Sequence, residues 1–301
     1  MYGVKQAKIP ALQTVPCRAG VSPALREWTK LVSGHFPQLS RSQACVLAWW
    51  SLGFVRAQAC GLSSLAVSLA AALGRGENTV RQGLREFYLE AAAKAGERRA
   101  ELEVEACCAP LLAWVLEQWT GRRLALALDA TRLGQRCTVL CVSVLSRGCA
   151  LPATRKAAWR PHWLSLLRHL RASLPRALTV IVLADRGRYA PWLFKRIRDL
   201  RRHPLLRVNL GGQFCPTGRH AFVPFKELVP HVGSGWSGRA TAFKTPGAQL
   251  PCTLLACWAE GDAEPWLLLT DLPPENAAAA WYGLRAWIEQ GFKLTKRAGW
   301  Q

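Results

Sequence analysis

The sequence predicts an α/β protein in two parts, an all-α N-terminal region followed by a mixed sheet with flanking helices. Apolar residues recur at helical spacing from about 25 to 120. After Gly121, near-continuous apolar runs appear at 124–128 and 178–184, as strands buried on both faces show. Helical patterns at 162–174 and 191–202 separate later strand-like runs, giving the order strand-strand-strand-helix-strand-helix-strand.

Residues 1–24 hold Pro10, Pro16 and Pro23 without periodicity, which predicts a flexible arm. In the helical region, 25–120, Leu39-Ser-Arg-Ser42 caps a helix through Cys45, Leu47, Trp49 and Trp50. Gly61-Leu-Ser-Ser64 starts a second, Glu77 to Phe87 forms a third, and 97–119 a fourth. A short helix, a turn with Gly74 and Gly76, and a helix bearing Thr79, Arg81 and Arg85 resemble a helix-turn-helix DNA reader. A helical bundle that binds nothing gives the same pattern.

Residues 121–301 begin with the strand that ends in Asp129, then a meander over 138–145 and 150–153. The run at 178–184 ends in Asp185, and 205–210 reads as another strand. A β-rich insertion is expected over 211–272, with strand-like runs at 222–228, 252–259 and 266–270. The last helix, 275–296, follows Pro273 and Pro274. At 3.6 residues per turn it gathers Tyr282, Arg285, Glu289 and Lys296 within roughly a 60° arc. Trp281, Leu284, Trp287, Ile288 and Phe292 fall on another arc, expected to face a core. Taken alone, this is an amphipathic surface helix with an Arg285–Glu289 pair at i,i+4.

Net charge is +21, with pI near 10.3, which favours a polyanionic partner. Nucleic acid is the first candidate; an anionic membrane surface is the second, and would need a basic amphipathic anchor or lipidation signal that the sequence does not show. No signal peptide is evident, and the apolar stretch 57–73 is too short and polar for a membrane span. The 11 cysteines include no C-x-x-C pair and are expected as free thiols in a reducing cytoplasm rather than zinc ligands. The absence of a P-loop or G-x-G-x-x-G disfavours a nucleotide-binding role.

The chain has only five aspartates, Asp129, Asp185, Asp199, Asp262 and Asp271, and two of them close its most apolar strands. An acid there can simply start a loop by bonding nearby backbone N–H groups. Two on neighbouring strands point instead to a ligand, since open α/β sheets bind beyond the carboxyl ends of their strands. In a basic protein two adjacent carboxylates call for a cation, and Mg²⁺ or Mn²⁺ fits hard oxygen ligands completed by phosphate. Two such ions act on both oxygens of a phosphodiester displacement. Glu289 is the natural third ligand.

These residues resemble a bacterial DDE transposase of the insertion-sequence family with the Y-x2-R-x3-E-x6-K signature. Tyr282, Arg285, Glu289 and Lys296 match it without a gap, Asp129-Ala-Thr131 resembles the first acidic motif and Asp185-Arg-Gly187 the second. The likeness covers about 110–301 well and the N-terminal helices loosely. It implies an RNase H-like catalytic core interrupted by the β-rich insertion. Asp129, Asp185 and Glu289 would be the catalytic, metal-binding acids for two Mg²⁺ (or Mn²⁺) ions. Tyr282, Arg285 and Lys296 would hold DNA phosphates, with Thr131 and Arg186 in support. Family members stack a flipped base on an aromatic side chain, for which Trp236, Trp258 and Trp266 are candidates. The implied activity is metal-dependent cleavage of transposon ends and strand transfer to a target, by a homodimer on the DNA at the nucleoid of a bacterial cytoplasm. Members normally continue into further helices after the signature, so a catalytically silent truncated transposase that only binds or regulates DNA ends is the alternative. Another RNase H-like nuclease, such as a junction resolvase or ribonuclease, would not need the Tyr-Arg-Lys set.

Overall fold

A computed structural model describes residues 21–94, 100–133, 137–146, 149–152, 159–186 and 190–297. These divide into two compact units, one of residues 21–119 with 292–297, the other of residues 120–291.

In the first unit, α1 (Pro23–His35) opens where the Ser22 hydroxyl accepts the Leu25 N–H and Pro23 occupies the first turn. Pro23 and Ala24 therefore begin a helix, not the end of an arm, and residues 1–20 lie outside the described residues. α2 (Arg41–Ala57) starts on a full capping box between Ser40 and Gln43. α3 (Leu62–Leu73) stops at Gly74, whose φ of 59° suits a residue without Cβ, and α4 (Glu77–Tyr88) begins beyond Gly76. α5 (Val104–Glu117) is shorter than the expected 97–119, and residues 95–99 lie outside the described residues. Leu25, Trp49, Leu65, Leu69, Val80 and Leu84 close one core, while Val32, Phe36, Ala44 and Ala48 pack beneath Trp28 and Trp114 in another. Among the described residues no single helix is long and apolar enough to cross a membrane; α2 and α3 reach that length only jointly, across a 101° bend.

The second unit is one mixed sheet of ten strands. β1 (Arg123–Leu133), β2 (Cys137–Ser146) and β3 (Cys149–Pro152) form an antiparallel meander. α6 (Trp159–Ser173) leads to β4 (Thr179–Ala184), which runs parallel to β1, and α7 (Pro191–Asp199) leads to β5 (His203–Arg207), parallel to β4. Then follow β6 (Gln213–Pro216), β7 (Val223–Pro224), β8 (Gly235–Ala242), β9 (Leu250–Cys257) and β10 (Trp266–Thr270). The strand order is β3-β2-β1-β4-β5-β10-β9-β8-β6-β7. Leu124, Leu126, Leu128, Val180, Val182 and Leu183 are all fully or nearly fully buried, as their apolar runs require.

Several boundaries differ from expectation for identifiable reasons. The helix expected over 191–202 ends at Asp199, because Arg201 turns left-handed at φ 56° and Arg202 turns inward to donate to the Leu174 and Leu178 carbonyls. The chain is then already in β5 by His203, two residues ahead of the expected strand at 205–210. The run 222–228 gives only a two-residue strand before a 3₁₀ turn at Phe225–Leu228. β8 lies in the expected insertion but outside the three strand-like runs read there. The segment 211–272 is β-rich, and it extends the sheet rather than forming a separate layer, because β10 pairs antiparallel with β5.

Gly212 is where this extension is tightest. A Cβ there would lie 2.4 Å from a ring carbon of fully buried Phe225, which stacks on Phe214. Gly212→Ala should therefore cost about 1–3 kcal/mol in denaturant unfolding. Gly211→Ala, with nothing within 4 Å of its Cβ, serves as the control.

Among the described residues Cys45, Cys60, Cys107, Cys108, Cys141, Cys215, Cys252 and Cys257 carry free thiols. Burial in β9 pushes the Cys252 thiol up to about 12, against smaller opposing effects from the Ala242 backbone and Arg239. A raised folded pKa means that this group's contribution to stability is full below its unfolded pKa, near 9, and is lost as pH rises toward 12. Cys252→Ala should flatten the alkaline fall of the denaturation midpoint over that window.

Candidate active site

β1 does not end at Asp129. It continues to Leu133 because its antiparallel partner β2 runs on beside it, pairing Asp129 with Cys141 and Leu133 with Cys137. On its other side the parallel pairing with β4 stops at Leu128 opposite Ala184. Asp129 and Asp185 are thus the next residues on two adjacent parallel strands, just where their shared ladder ends. Asp129 Oδ1 accepts the Ala130 N–H at 2.8 Å, which fixes the carboxylate, and the residue is only 9% exposed.

The segment carrying the last acid is not one continuous helix. Short 3₁₀ turns cover Pro274–Asn276 and Ala279–Arg285, and only then does α8 (Ala286–Arg297) begin. At three residues per turn, Tyr282 and Arg285 fall in line, with Ile288 one turn further into α8. These are the buried residues, whereas Trp281, Leu284 and Trp287 are only half-buried and nothing is described of the Phe292 side chain. The charged face, which taken alone reads as a solvated surface, therefore points inward at Arg285.

Arg285 gathers the three acids. Its Nη2 donates to Asp129 Oδ1 at 3.2 Å and to Asp185 Oδ2 at 3.1 Å, and its Nη1 donates to Glu289 Oε1 at 3.1 Å. Asp129 and Asp185 share one nitrogen, so they lie within two hydrogen-bond lengths of each other. Burial alone would lower the Arg285 pKa, but the pull of Asp129, Tyr282, Asp185 and Glu289 outweighs it and leaves the pKa above its ordinary value. The fit is incomplete: Asp185 Oδ1 and Arg285 Nε are both buried without a hydrogen-bond partner. Glu289, with 55% of its side chain exposed, is the open side of the cluster.

Among the described residues no three His, Cys, Asp or Glu side chains stand ready to hold a metal ion. The donor set itself suits Mg²⁺ or Mn²⁺: three carboxylates, hard oxygens only, and one buried oxygen unpaired.

Tyr282 is 5% exposed, edge-on to Trp266 with ring centroids 5.3 Å apart, and burial raises its pKa against the opposing pull of Arg285 and Arg207. Arg207 at the end of β5 lies 6.0 Å from the Tyr282 ring and donates to Glu264 at 3.0 Å. Arg186, beside Asp185, is exposed and donates to the same carboxylate at 2.6 Å. Arg207 and Glu264 are the residues here that sequence reasoning missed. No local spacing links them to the acids, although a charged residue ending a parallel strand, as Arg207 does, is a usable signal.

Trp266 adjoins the acid cluster through Tyr282. Trp258 donates from Nε1 to the Asp262 carbonyl and closes the β9–β10 turn. Trp236 lies over Gly238 on β8, where a Cβ would meet its ring at 2.8 Å, and packs 5.5 Å from Phe214. Thr131 lies on β1 opposite Val139 and Lys296 on α8; their side chains lie outside the described residues. In the helical unit, Thr79, Arg81 and Arg85 are exposed on α4, whose Val80 and Leu84 face the core.

No protein-family model matches the chain, and no curated protein does.

Proposed function

We propose that the chain is a DDE transposase that cleaves the ends of a DNA element and transfers the freed strand to a target. The observation that carries this reading is the convergence of Asp129, Asp185 and Glu289 on one guanidinium, at the point where the β1–β4 parallel ladder stops. The strand order β3-β2-β1-β4-β5, in which β2 alone runs opposite to the other four, supports an RNase H-like core, and the strands β6 to β10 support an insertion before the last acid.

On this reading Asp129, Asp185 and Glu289 would hold two Mg²⁺ or Mn²⁺ ions, which would supply Lewis-acid polarisation at the phosphodiester. Arg285 turns from the acids to grip a phosphate, for which its planar fork is suited. Arg186 and Lys296 would supply further positive charge for DNA phosphates. Tyr282, fixed between Trp266 and Arg207, sets the position of the 3₁₀ turn that carries Arg285. The exposed polar face of α4, with Thr79, Arg81 and Arg85, contacts double-stranded DNA, and the +21 charge supplies long-range attraction. A homodimer holding two ends at the bacterial nucleoid completes the proposal.

The test is incubation of the intact chain with duplexes carrying the DNA that flanks its reading frame, with Mg²⁺, Mn²⁺ or EDTA. Metal-dependent release of a 3′-hydroxyl at one position in each flank is the expected result. Specific binding without cleavage would make the chain an end-binding regulator, and neither binding nor cleavage would overturn the proposal.

A further inference from the structure

We infer that Arg285 is an internal counter-cation that keeps the acid cluster closed to metal until a DNA phosphate draws it away. This deepens the proposed transposase reading and rests on it for the identity of the anion. The geometry is specific to a stand-in for a cation: one side chain donates to all three acids, and two of them share a single nitrogen. An arginine placed only to stabilise the fold would more naturally pair two nitrogens with one carboxylate. Here the fork is divided, with its Nε left buried and unpaired, and Asp185 Oδ1 is left buried and unpaired beside it.

Those two orphaned atoms show what exchange would gain. Three carboxylates around one guanidinium leave a formal charge of −2, and exchanging the monovalent side chain for a divalent cation would halve it to −1. The acids lose one donor and gain an ion that Asp185 Oδ1 can also reach. Arg285, once free, can present two parallel N–H groups to a phosphate, an acceptor geometry that the divided fork does not offer. Exposed Glu289 gives the side of the cluster through which the exchange proceeds. Metal loading and phosphate binding are then coupled through one residue, with each raising affinity for the other by the same factor. The coupling would limit metal-dependent chemistry away from DNA, since the acids are occupied until a phosphate arrives.

The experiment follows Mn²⁺ binding by the intact chain, by the loss of the free-ion EPR signal, without DNA and with a non-cleavable duplex. Wild type should bind Mn²⁺ weakly alone and at least about tenfold tighter with the duplex, typical of a coupling between two sites. Arg285→Met should bind Mn²⁺ tightly without DNA, with little further gain when DNA is added. Arg285→Lys, which keeps one charge but cannot fork to three acids, should fall between them and serves if Arg285→Met fails to fold. Equal Mn²⁺ affinity in wild type and both variants, abolished by Asp129→Asn, overturns the counter-cation role and leaves the metal site standing. No Mn²⁺ binding in any of them overturns the metal site itself.

Discussion

Asp129→Ala should lower Mg²⁺-dependent cleavage of a DNA end by at least about a hundredfold, the scale on which losing one preorganised electrostatic group at a reacting centre is felt. The argument is geometric. Asp129 is held by the Ala130 N–H, nearly buried, and within two hydrogen-bond lengths of Asp185. No other described carboxylate takes its place on the β1 side of Arg285. Binding of the same end should change little, since affinity for DNA comes mainly from phosphate contacts and removing a carboxylate makes a chain of charge +21 slightly more attractive to DNA. Gel shift at fixed salt and a cleavage time course on one labelled duplex separate the two effects. Asp185→Ala and Glu289→Ala should behave alike, and cleavage that survives in Asp129→Ala would remove the acid cluster from the chemistry. A parallel loss of binding would mean instead that the substitution had damaged the fold, which circular dichroism of the same sample checks.

What the sequence disclosed and what it hid divide along physical lines. Helix ends were legible because their signals are local: Ser40 within 39–42, and the glycines at 61, 74 and 76. The central strands were legible because both faces of β1 and β4 are buried, which demands unbroken apolar runs. β8 was not, because Gly235, Ser237 and Gly238 have little strand preference of their own and the strand depends on its partner β9 and on Trp236 lying over Gly238. The end of β1 was misplaced because the apolar run stops where the parallel ladder stops, while the hairpin with β2 goes on.

Within the candidate site, the meeting of Asp129, Asp185 and Glu289 was an expectation from apolar runs and spacing, but the turn of Arg285 in among them was not. The spacing that singled out Arg285 assigned it to DNA phosphate and carried no sign that it would pair with the acids in the protein alone. The 3₁₀ winding of Ala279–Arg285 turns it inward, and that winding follows from Tyr282 docking against Trp266, a contact between distant segments. The same applies to Glu264, which holds Arg186 and Arg207 across 78 and 57 positions of sequence. Local patterns carry no record of such pairs.

Arg285→Met should destabilise the metal-free protein by about 3 kcal/mol, the low end of what breaking a buried ion pair costs. The low end applies because the three acids differ in depth. Asp129 and Asp185 have 13% and 32% of their side chains exposed, while Glu289 at 55% can rehydrate freely. The cost therefore comes mainly from Asp129 and Asp185, which lose the guanidinium nitrogen they share. Divalent metal should reverse most of it: at saturating Mn²⁺ the variant's denaturation midpoint should rise toward that of wild type, whereas the wild type should respond little without DNA. Urea titrations of both proteins, with Mn²⁺ and with EDTA, measure the difference directly. A variant as stable as wild type in EDTA would mean that the acids do not depend on Arg285 for their charge balance. A destabilised variant that Mn²⁺ fails to rescue would mean that these carboxylates, though adjacent, do not form a cation site.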